Sequence, residues 1–119
     1  MVQKVHNYGG VVAQYDAFTN LTTTSDGYVD AGVVICTYMK TKRFAFTAVT
    51  NTLTLQVLGS IDGGVTYPFT VESAFDVTVA ASPVVKSYTD YYTHLKVQVK
   101  PKVAGVHGTL QTKWAGASF

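Results

Sequence analysis

Apolar and polar residues alternate along most of this chain with a period of two. The clearest example is the segment 94–100, where Leu95, Val97 and Val99 are separated by polar residues. A period of two places successive side chains on opposite faces of a β-strand. The apolar residues do not recur in the repeating spacing of three and four that marks an amphipathic helix. Weaker alternation recurs in four other segments, at 43–49, 53–60, 74–80 and 108–115.

Short turn signals such as Asp26-Gly27, Asp62-Gly63-Gly64 and Ser82-Pro83 separate these segments. Eight or nine short strands without a helical connection are typical of an all-β fold, an antiparallel β-sandwich or a jelly-roll-like barrel. The alternation predicts strands near 9–18, 28–38, 43–49, 53–60, 66–72, 74–80, 84–88, 94–100 and 108–115. It also predicts a core that includes Leu55, Val57, Leu95, Val97, Val99 and Trp114.

The 119 residues are enough for one domain with its own core. We interpret residues 1–8 as an extended N-terminal arm and residues 9–119 as a single sandwich domain. The polar segment 19–26 is predicted to be a loop.

The composition strengthens the β prediction, because 19 Val and 17 Thr stand against only 6 Leu. Charged residues make up 13% of the chain, about half the usual share for soluble domains. With 47% hydrophobic residues, part of the surface is expected to be covered by copies of the chain or by another protein. We therefore expect a homo-oligomer, with a trimer favoured. A monomer with a neutral, Thr-rich surface is the alternative.

The net charge of +2 is small and the lysines are scattered. Lys96, Lys100 and Lys102 come closest to a basic cluster, but they fit the solvent side of a strand better than a nucleic-acid site. No nucleic-acid partner is expected.

The first residues lack the apolar centre of a signal peptide, and no apolar run approaches a membrane span. We expect synthesis in a cytoplasm and no membrane partner.

The candidates for chemistry are few. Cys36 lies in an apolar run and is predicted to be a buried, inert thiol. His6, His94 and His107 lack the spacing of metal ligands. With a single Glu72 and six scattered Asp, no pair of carboxylates stands out for acid–base catalysis. We expect no enzymatic activity, no cofactor and no metal.

One segment fits the pattern S-x-D-x-G-x-T-aromatic and resembles the Asp-box, a hairpin-turn motif best known from sialidase propeller blades. Asp62 can accept backbone N–H groups across the turn, and the glycines tolerate positive φ. A single copy excludes a propeller built from such repeats. We predict a structural turn made by Ser60, Asp62, Gly63, Gly64, Thr66 and Tyr67.

A tyrosine-rich segment at 88–92 has three interpretations. It can form a corner of the core, a protein interface or a platform that stacks on sugar rings. The interface residues would be Tyr8, Tyr88, Tyr91 and Tyr92. In the glycan interpretation, a carbohydrate-binding or adhesin module would use these tyrosines together with loop 20–26.

The second half of the chain contains the successive strings LTLQVLGSIDGG, YPF, HLKVQVKP and GTLQTKW. Over about residues 53–116 it is similar to the small all-β virion structural proteins of tailed bacteriophages. The resemblance implies a structural role in the virion, without catalytic residues. Capsid decoration (cement) that stabilises the head lattice is preferred, and a tail or head–tail component is the alternative. The implied partners are the major capsid protein or other virion proteins.

Overall fold

The computed structural model describes the backbone of residues 4–8 and 11–118, and the side chains of residues 21–118. This part of the chain contains nine strands. They are β1 (Lys4–Tyr8), β2 (Val11–Thr22), β3 (Val29–Ile35), β4 (Thr41–Thr50), β5 (Leu53–Ser60), β6 (Phe69–Val77), β7 (Val84–Tyr88), β8 (His94–Pro101) and β9 (Thr109–Ala117).

The strands form two open sheets, so the predicted all-β fold is confirmed as a β-sandwich. One sheet has the order β1-β2-β9-β4-β7 and the other the order β3-β8-β5-β6. Every neighbouring pair is antiparallel. Two sheets with free edges distinguish this architecture from a closed barrel.

The core lies between the sheets and consists of the apolar residues that alternate along the central strands. All six predicted core residues are buried, with Trp114 4% exposed and the other five fully covered. Phe44 and Phe46 on β4 stack with a centroid distance of 5.6 Å, and Phe46 also meets Phe75 on β6 across the core. The core residues predicted from the period of two are correct because each central strand has one face on the core and one face outward.

The strands predicted at 66–72 and 74–80 are wrong as two elements, since the structure has one strand, β6, at Phe69–Val77. Thr66 belongs to the preceding turn, where its N–H donates to Asp62. After β6 the chain turns at once: the Ala81 N–H donates to the Thr78 hydroxyl, and the Ser82 hydroxyl to the Thr78 carbonyl. Val79, which the predicted strand 74–80 included, lies after the end of β6 and is 51% exposed.

The N-terminal part also differs in its bounds from the prediction. Residues 4–8 of the predicted arm form β1, which pairs along its length with β2. Residues 1–3 of that arm lie outside the described residues. The segment 19–22, predicted as loop, continues β2 because its last residues pair with β9 beyond a bulge. The loop between β2 and β3 is therefore limited to residues 23–28.

The loops gather at the two ends of the sandwich. At one end, which we call the tyrosine end, lie the loops 36–40, 61–68 and 89–93. The Cys36 N–H donates to the Thr93 carbonyl at 2.9 Å, and the Thr93 N–H to the Ser60 carbonyl at 2.8 Å. The opposite end holds the loops 23–28, 51–52, 78–83 and 102–108. There the Thr23 N–H donates to the Gly108 carbonyl at 2.9 Å.

Candidate functional site

The Asp62 carboxylate is the centre of the turn between β5 and β6. Its Oδ1 accepts the N–H groups of Val65 at 3.1 Å and Thr66 at 3.0 Å, and its Oδ2 accepts the Thr66 hydroxyl. The Ser60 hydroxyl donates to the same Oδ1 at 2.7 Å and accepts the Gly64 N–H at 3.0 Å. The carboxylate therefore holds the turn in the way that the Asp-box resemblance implies.

These hydrogen bonds keep the Asp62 carboxyl group in its charged form. The bonds from the Thr66 hydroxyl and N–H, then from Ser60, stabilise the carboxylate and hold the pKa of Asp62 far below its usual range. Gly63 and Gly64 have φ of 77° and 85°. Since the oxygens of Asp62 are occupied within the turn, the carboxylate is poorly placed to act as an acid or base near neutral pH.

The aromatic residue of the motif, Tyr67, lies beside the turn and is half-buried. The Lys96 ammonium sits 4.3 Å from its ring centroid, in cation–π geometry. The Thr93 hydroxyl accepts the Gly63 N–H at 3.2 Å and donates to the Ser60 carbonyl at 3.1 Å. The turn is thus connected to the loop that carries the tyrosines.

Tyr88 lies inside the sandwich and is 9% exposed. Its hydroxyl donates to Glu72 Oε1 at 2.9 Å, which joins β7 of one sheet to β6 of the other. Burial, and then the hydrogen bond and charge of Glu72, raise the pKa of Tyr88 well above its ordinary value. Glu72 also pairs with Lys86 at 2.7 Å. This tyrosine occupies the core corner and offers little surface to a partner.

The other predicted interface tyrosines occupy different environments. Tyr92 is half-buried and its ring lies 6.0 Å from that of Phe69. It also covers Gly59, where an added Cβ would stand 2.5 Å from the Tyr92 ring. Tyr91, by contrast, is 60% exposed. The side chain of Tyr8 lies outside the described residues.

Sequence reasoning missed Tyr38, which faces the same region as Tyr91. Tyr38 is 80% exposed, and with Tyr91, Met39, Lys40 and Thr89 it lines an open cleft of about 220 Å³. Its backbone has φ of 67°, in the left-handed region. The strand predicted at 28–38 included Tyr38, but β3 ends at Ile35, so Tyr38 lies in the loop that follows it.

Below this cleft, Lys42 is fully buried. Its ammonium donates to the Met39 carbonyl at 3.4 Å and to the Asp90 carbonyl. Burial lowers the pKa of Lys42, although the nearby Cys36 and Asp90 oppose the shift. Cys36 is also fully buried, donates to the Tyr92 carbonyl at 3.2 Å, and has its pKa raised by burial to about 11. Such a thiol is unreactive near neutral pH.

A second shallow cleft, of about 260 Å³, lies on the outer face of the five-stranded sheet. Ala45 on β4 pairs with Val85 on β7 and with Lys113 on β9, and Arg43 on β4 pairs with Ala115 on β9. All five residues line the cleft. Val85 is 55% exposed. None of the three strands β4, β7 and β9 contains an Asp or Glu. We call this surface the outer face.

The remaining polar candidates do not converge. His107 Nδ1 lies 3.1 Å from the Thr23 hydroxyl at the opposite end, whereas His94 begins β8 at the tyrosine end. Asp26 accepts the Gly105 N–H at 2.8 Å, and Asp30 pairs with Lys96 at 3.4 Å. Within the described residues, no three His, Cys, Asp or Glu side chains are grouped so that they could hold a metal ion. His6 is among the residues whose side chains are not described.

The tyrosines and loop 20–26 do not form one surface. Ile35 pairs with His94 at the tyrosine end of β3 and β8, whereas Val29 pairs with Val99 towards the opposite end. The loop 23–28 precedes β3, and the tyrosine loop precedes β8, so the two loops lie at opposite ends of this strand pair. A glycan site composed of both segments is therefore not formed.

A comparison of the chain with models of known protein families found no family that matches, and a search among curated proteins found no match either. In the described part of the chain, no helix has the length and apolar character needed to cross a membrane.

Proposed function

We propose that this chain is a non-enzymatic structural protein of a bacteriophage virion, and that it acts as a capsid decoration (cement) protein that stabilises the head lattice. The observation that carries the proposal is the outer face, a sheet surface that combines small apolar residues with two cations and no carboxylate. The virion assignment itself rests on the sequence resemblance over residues 53–116. A tail or head–tail component could use the same surface and is the second candidate.

The chemistry of the outer face favours a partner that differs from the chain itself. Ala45, Val85 and Ala115 offer an apolar contact, while Arg43 and Lys113, which pair with two of these residues across β4 and β9, would attract carboxylates. Two copies packed through this face about a twofold axis would bring like charges together, which costs free energy. The surface therefore fits an acidic, partly apolar patch on the major capsid protein or another virion protein.

Self-association would use a different part of the surface. Identical copies around a capsid site close with cyclic symmetry, and a trimer suits a threefold position of the lattice. The opposite end exposes two apolar side chains in the loop 102–108, Val103 and Val106, which are 60% and 45% exposed. We place the assembled protein in the virion, after synthesis in the host cytoplasm, with neither nucleic acid nor membrane as a partner.

The proposal is tested by sedimentation of the purified protein with capsids, and separately with tails, from the virus whose genome encodes the chain. The unchanged protein is expected to pellet with capsids. Ala45→Glu places a carboxylate in the centre of the outer face and is expected to weaken pelleting at least tenfold. The matched control is Ala74→Glu, which makes the same change at an exposed position of β6 on the other sheet.

Three results would decide between the candidates. Pelleting with tails alone would replace the decoration role by the tail role. Equal loss of pelleting in both glutamate variants would exclude the outer face as the docking surface. No pelleting with any particle, together with neighbouring reading frames that encode no capsid or tail proteins, would overturn the virion proposal.

A further inference from the structure

We propose that the tyrosine end carries a carbohydrate-binding site, in which the exposed rings of Tyr38 and Tyr91 stack against the pyranose ring of an oligosaccharide. This inference goes beyond the structural role, because it concerns another end of the molecule and another class of ligand. Neither ring belongs to the outer face. A virion protein with both surfaces could dock on the particle and present the tyrosine end outward.

The first argument is the chemistry of the cleft. A pyranose ring has an apolar C–H face and a rim of hydroxyl groups, so it needs a flat apolar surface with polar groups beside it. Tyr38 and Tyr91, 80% and 60% exposed, supply the flat surfaces. Lys40 and Thr89 line the same cleft and supply an ammonium and a hydroxyl. At about 220 Å³ the cleft is smaller than a typical pocket of about 300–1,000 Å³, so it would hold part of an oligosaccharide.

The second argument is the backbone of Tyr38. The Met39 N–H donates to the Cys36 carbonyl at 3.0 Å, which closes a turn with Tyr38 at its third position. At φ of 67° this position favours Gly or Asn, and a bulky side chain there is strained. An exposed ring returns little packing energy to offset the strain. Strained residues of this kind concentrate at ligand sites, and a ring that does not serve the fold is explained by a ligand.

The third argument is that the two loops are held together before any ligand arrives. From below, the Lys42 ammonium donates to one carbonyl of each loop, those of Met39 and Asp90. The Thr37 hydroxyl donates to the Thr93 carbonyl at 3.3 Å, and the Cys36 thiol donates to the Tyr92 carbonyl. A site fixed in this way loses little conformational entropy on binding, which matters for a ligand with few contacts. Lys42 thus holds the two loops in place.

The surroundings favour an oligosaccharide over a protein partner. Most chain neighbours of the two rings are polar or buried: Thr37, Lys40, Thr89 and Asp90 are polar and Met39 is buried, whereas Tyr92 is half-buried against Phe69. A stable protein interface needs about 800 Å² from each partner with an apolar centre. Two exposed rings with polar chain neighbours match a small polar ligand with one apolar face.

The first experiment applies the purified protein to a printed array of neutral and acidic oligosaccharides. The best binder is then titrated while backbone amide chemical shifts are recorded. We expect shifts at residues 36–40 and 89–92 and none at the opposite end. Shifts centred on another surface, or no oligosaccharide retained on the array, would overturn the proposal.

Two variants test the roles of the rings, and both remove exposed side chains that the core does not need. Tyr91→Ala and Tyr38→Gly are each expected to weaken binding at least tenfold. Tyr38→Gly should also raise the temperature of unfolding, because glycine relieves the positive φ. The control is Tyr28→Ala at the opposite end, which should bind as the unchanged protein does. Unchanged oligosaccharide affinity in Tyr38→Gly, or loss of capsid pelleting instead, would show that the ring serves another purpose.

Discussion

The ammonium group of Lys42 on β4 donates a hydrogen bond to the backbone carbonyl of Asp90 in the loop before β8. The lysine is fully buried and also contacts the Met39 carbonyl, so one side chain connects two loops at the tyrosine end. A buried ammonium costs free energy unless hydrogen bonds replace its water. Here the replacement comes from carbonyl groups whose positions the lysine in turn determines.

Lys42→Met removes this connection while preserving most of the side-chain volume. The two carbonyls would lose a buried donor, and we expect the free energy of unfolding to fall by about 1–3 kcal/mol. Hydrogen exchange followed by mass spectrometry should become faster in the segments 36–40 and 89–93, with little change in β5 and β8. Lys113→Met, at an exposed position, should change stability by less than about 0.5 kcal/mol. Uniformly faster exchange throughout the sandwich would contradict a local role for Lys42.

The hydrogen bonds to Asp62 should make the stability of the folded protein depend on pH. Its pKa is depressed in the folded protein, so the folded state favours the carboxylate more than the unfolded state does. This contribution is complete above the unfolded pKa of about 4 and is lost as the pH falls below it. Asp62→Asn should therefore lower the temperature of unfolding at pH 7, and the difference from the unchanged protein should shrink towards pH 2. A difference that is constant with pH would show that charge has no part in holding the turn.

Because Tyr88 is buried, its substitution should change the stability of the fold. Substitution of an interface residue would instead change binding to a partner. Tyr88→Phe removes the hydroxyl that donates to Glu72 and should lower the free energy of unfolding by about 1 kcal/mol. Chemical denaturation would measure it. Tyr91→Phe makes the same change at an exposed ring and should leave stability within about 0.5 kcal/mol of the unchanged protein. Equal stability of the two variants would mean that the Tyr88–Glu72 bond contributes nothing net.

A side chain added at Gly59 should clash with the ring of Tyr92. A Cβ at this position would lie 2.5 Å from the Tyr92 ring, so Gly59→Ala must displace the ring or the strand. Overpacking of this kind costs about 1–3 kcal/mol, measurable by thermal or chemical unfolding. The control is Gly27→Ala, where the new Cβ would lie 3.9 Å from the Ser25 Oγ, an ordinary contact distance. If both variants unfold at the same temperature, Tyr92 does not pack as tightly on β5 as described.

The proposed self-association predicts the behaviour of the free protein. Hydrophobic burial should dominate the contacts between copies of a chain with 13% charged residues. Light scattering should therefore give a mass above 12.8 kDa per particle, three times that value for a trimer, and the mass should persist as salt is raised. A particle of 12.8 kDa at all concentrations, or one that dissociates in salt, would contradict this prediction.

Much of the fold followed from local patterns. The alternation around Leu95, Val97 and Val99 identified the core face of β8, because the side-chain period of a strand is independent of which strand it pairs with. The Asp62 turn was also predictable, since its partners Ser60 and Thr66 lie within four residues along the chain. Where the chemistry is local, the order of residues is sufficient to predict it.

The tertiary structure decided whatever depends on contacts between distant segments. Burial of Lys42 required loop 89–93 to bring the Asp90 carbonyl over β4, 48 residues away in the chain. The exposure of Tyr38 beside Tyr91 and the separation of loop 23–28 from the tyrosines depend on strand order, which alternation does not encode. The period of two specifies which face of a strand is apolar, but only the pairing of strands determines which loops meet at the same end.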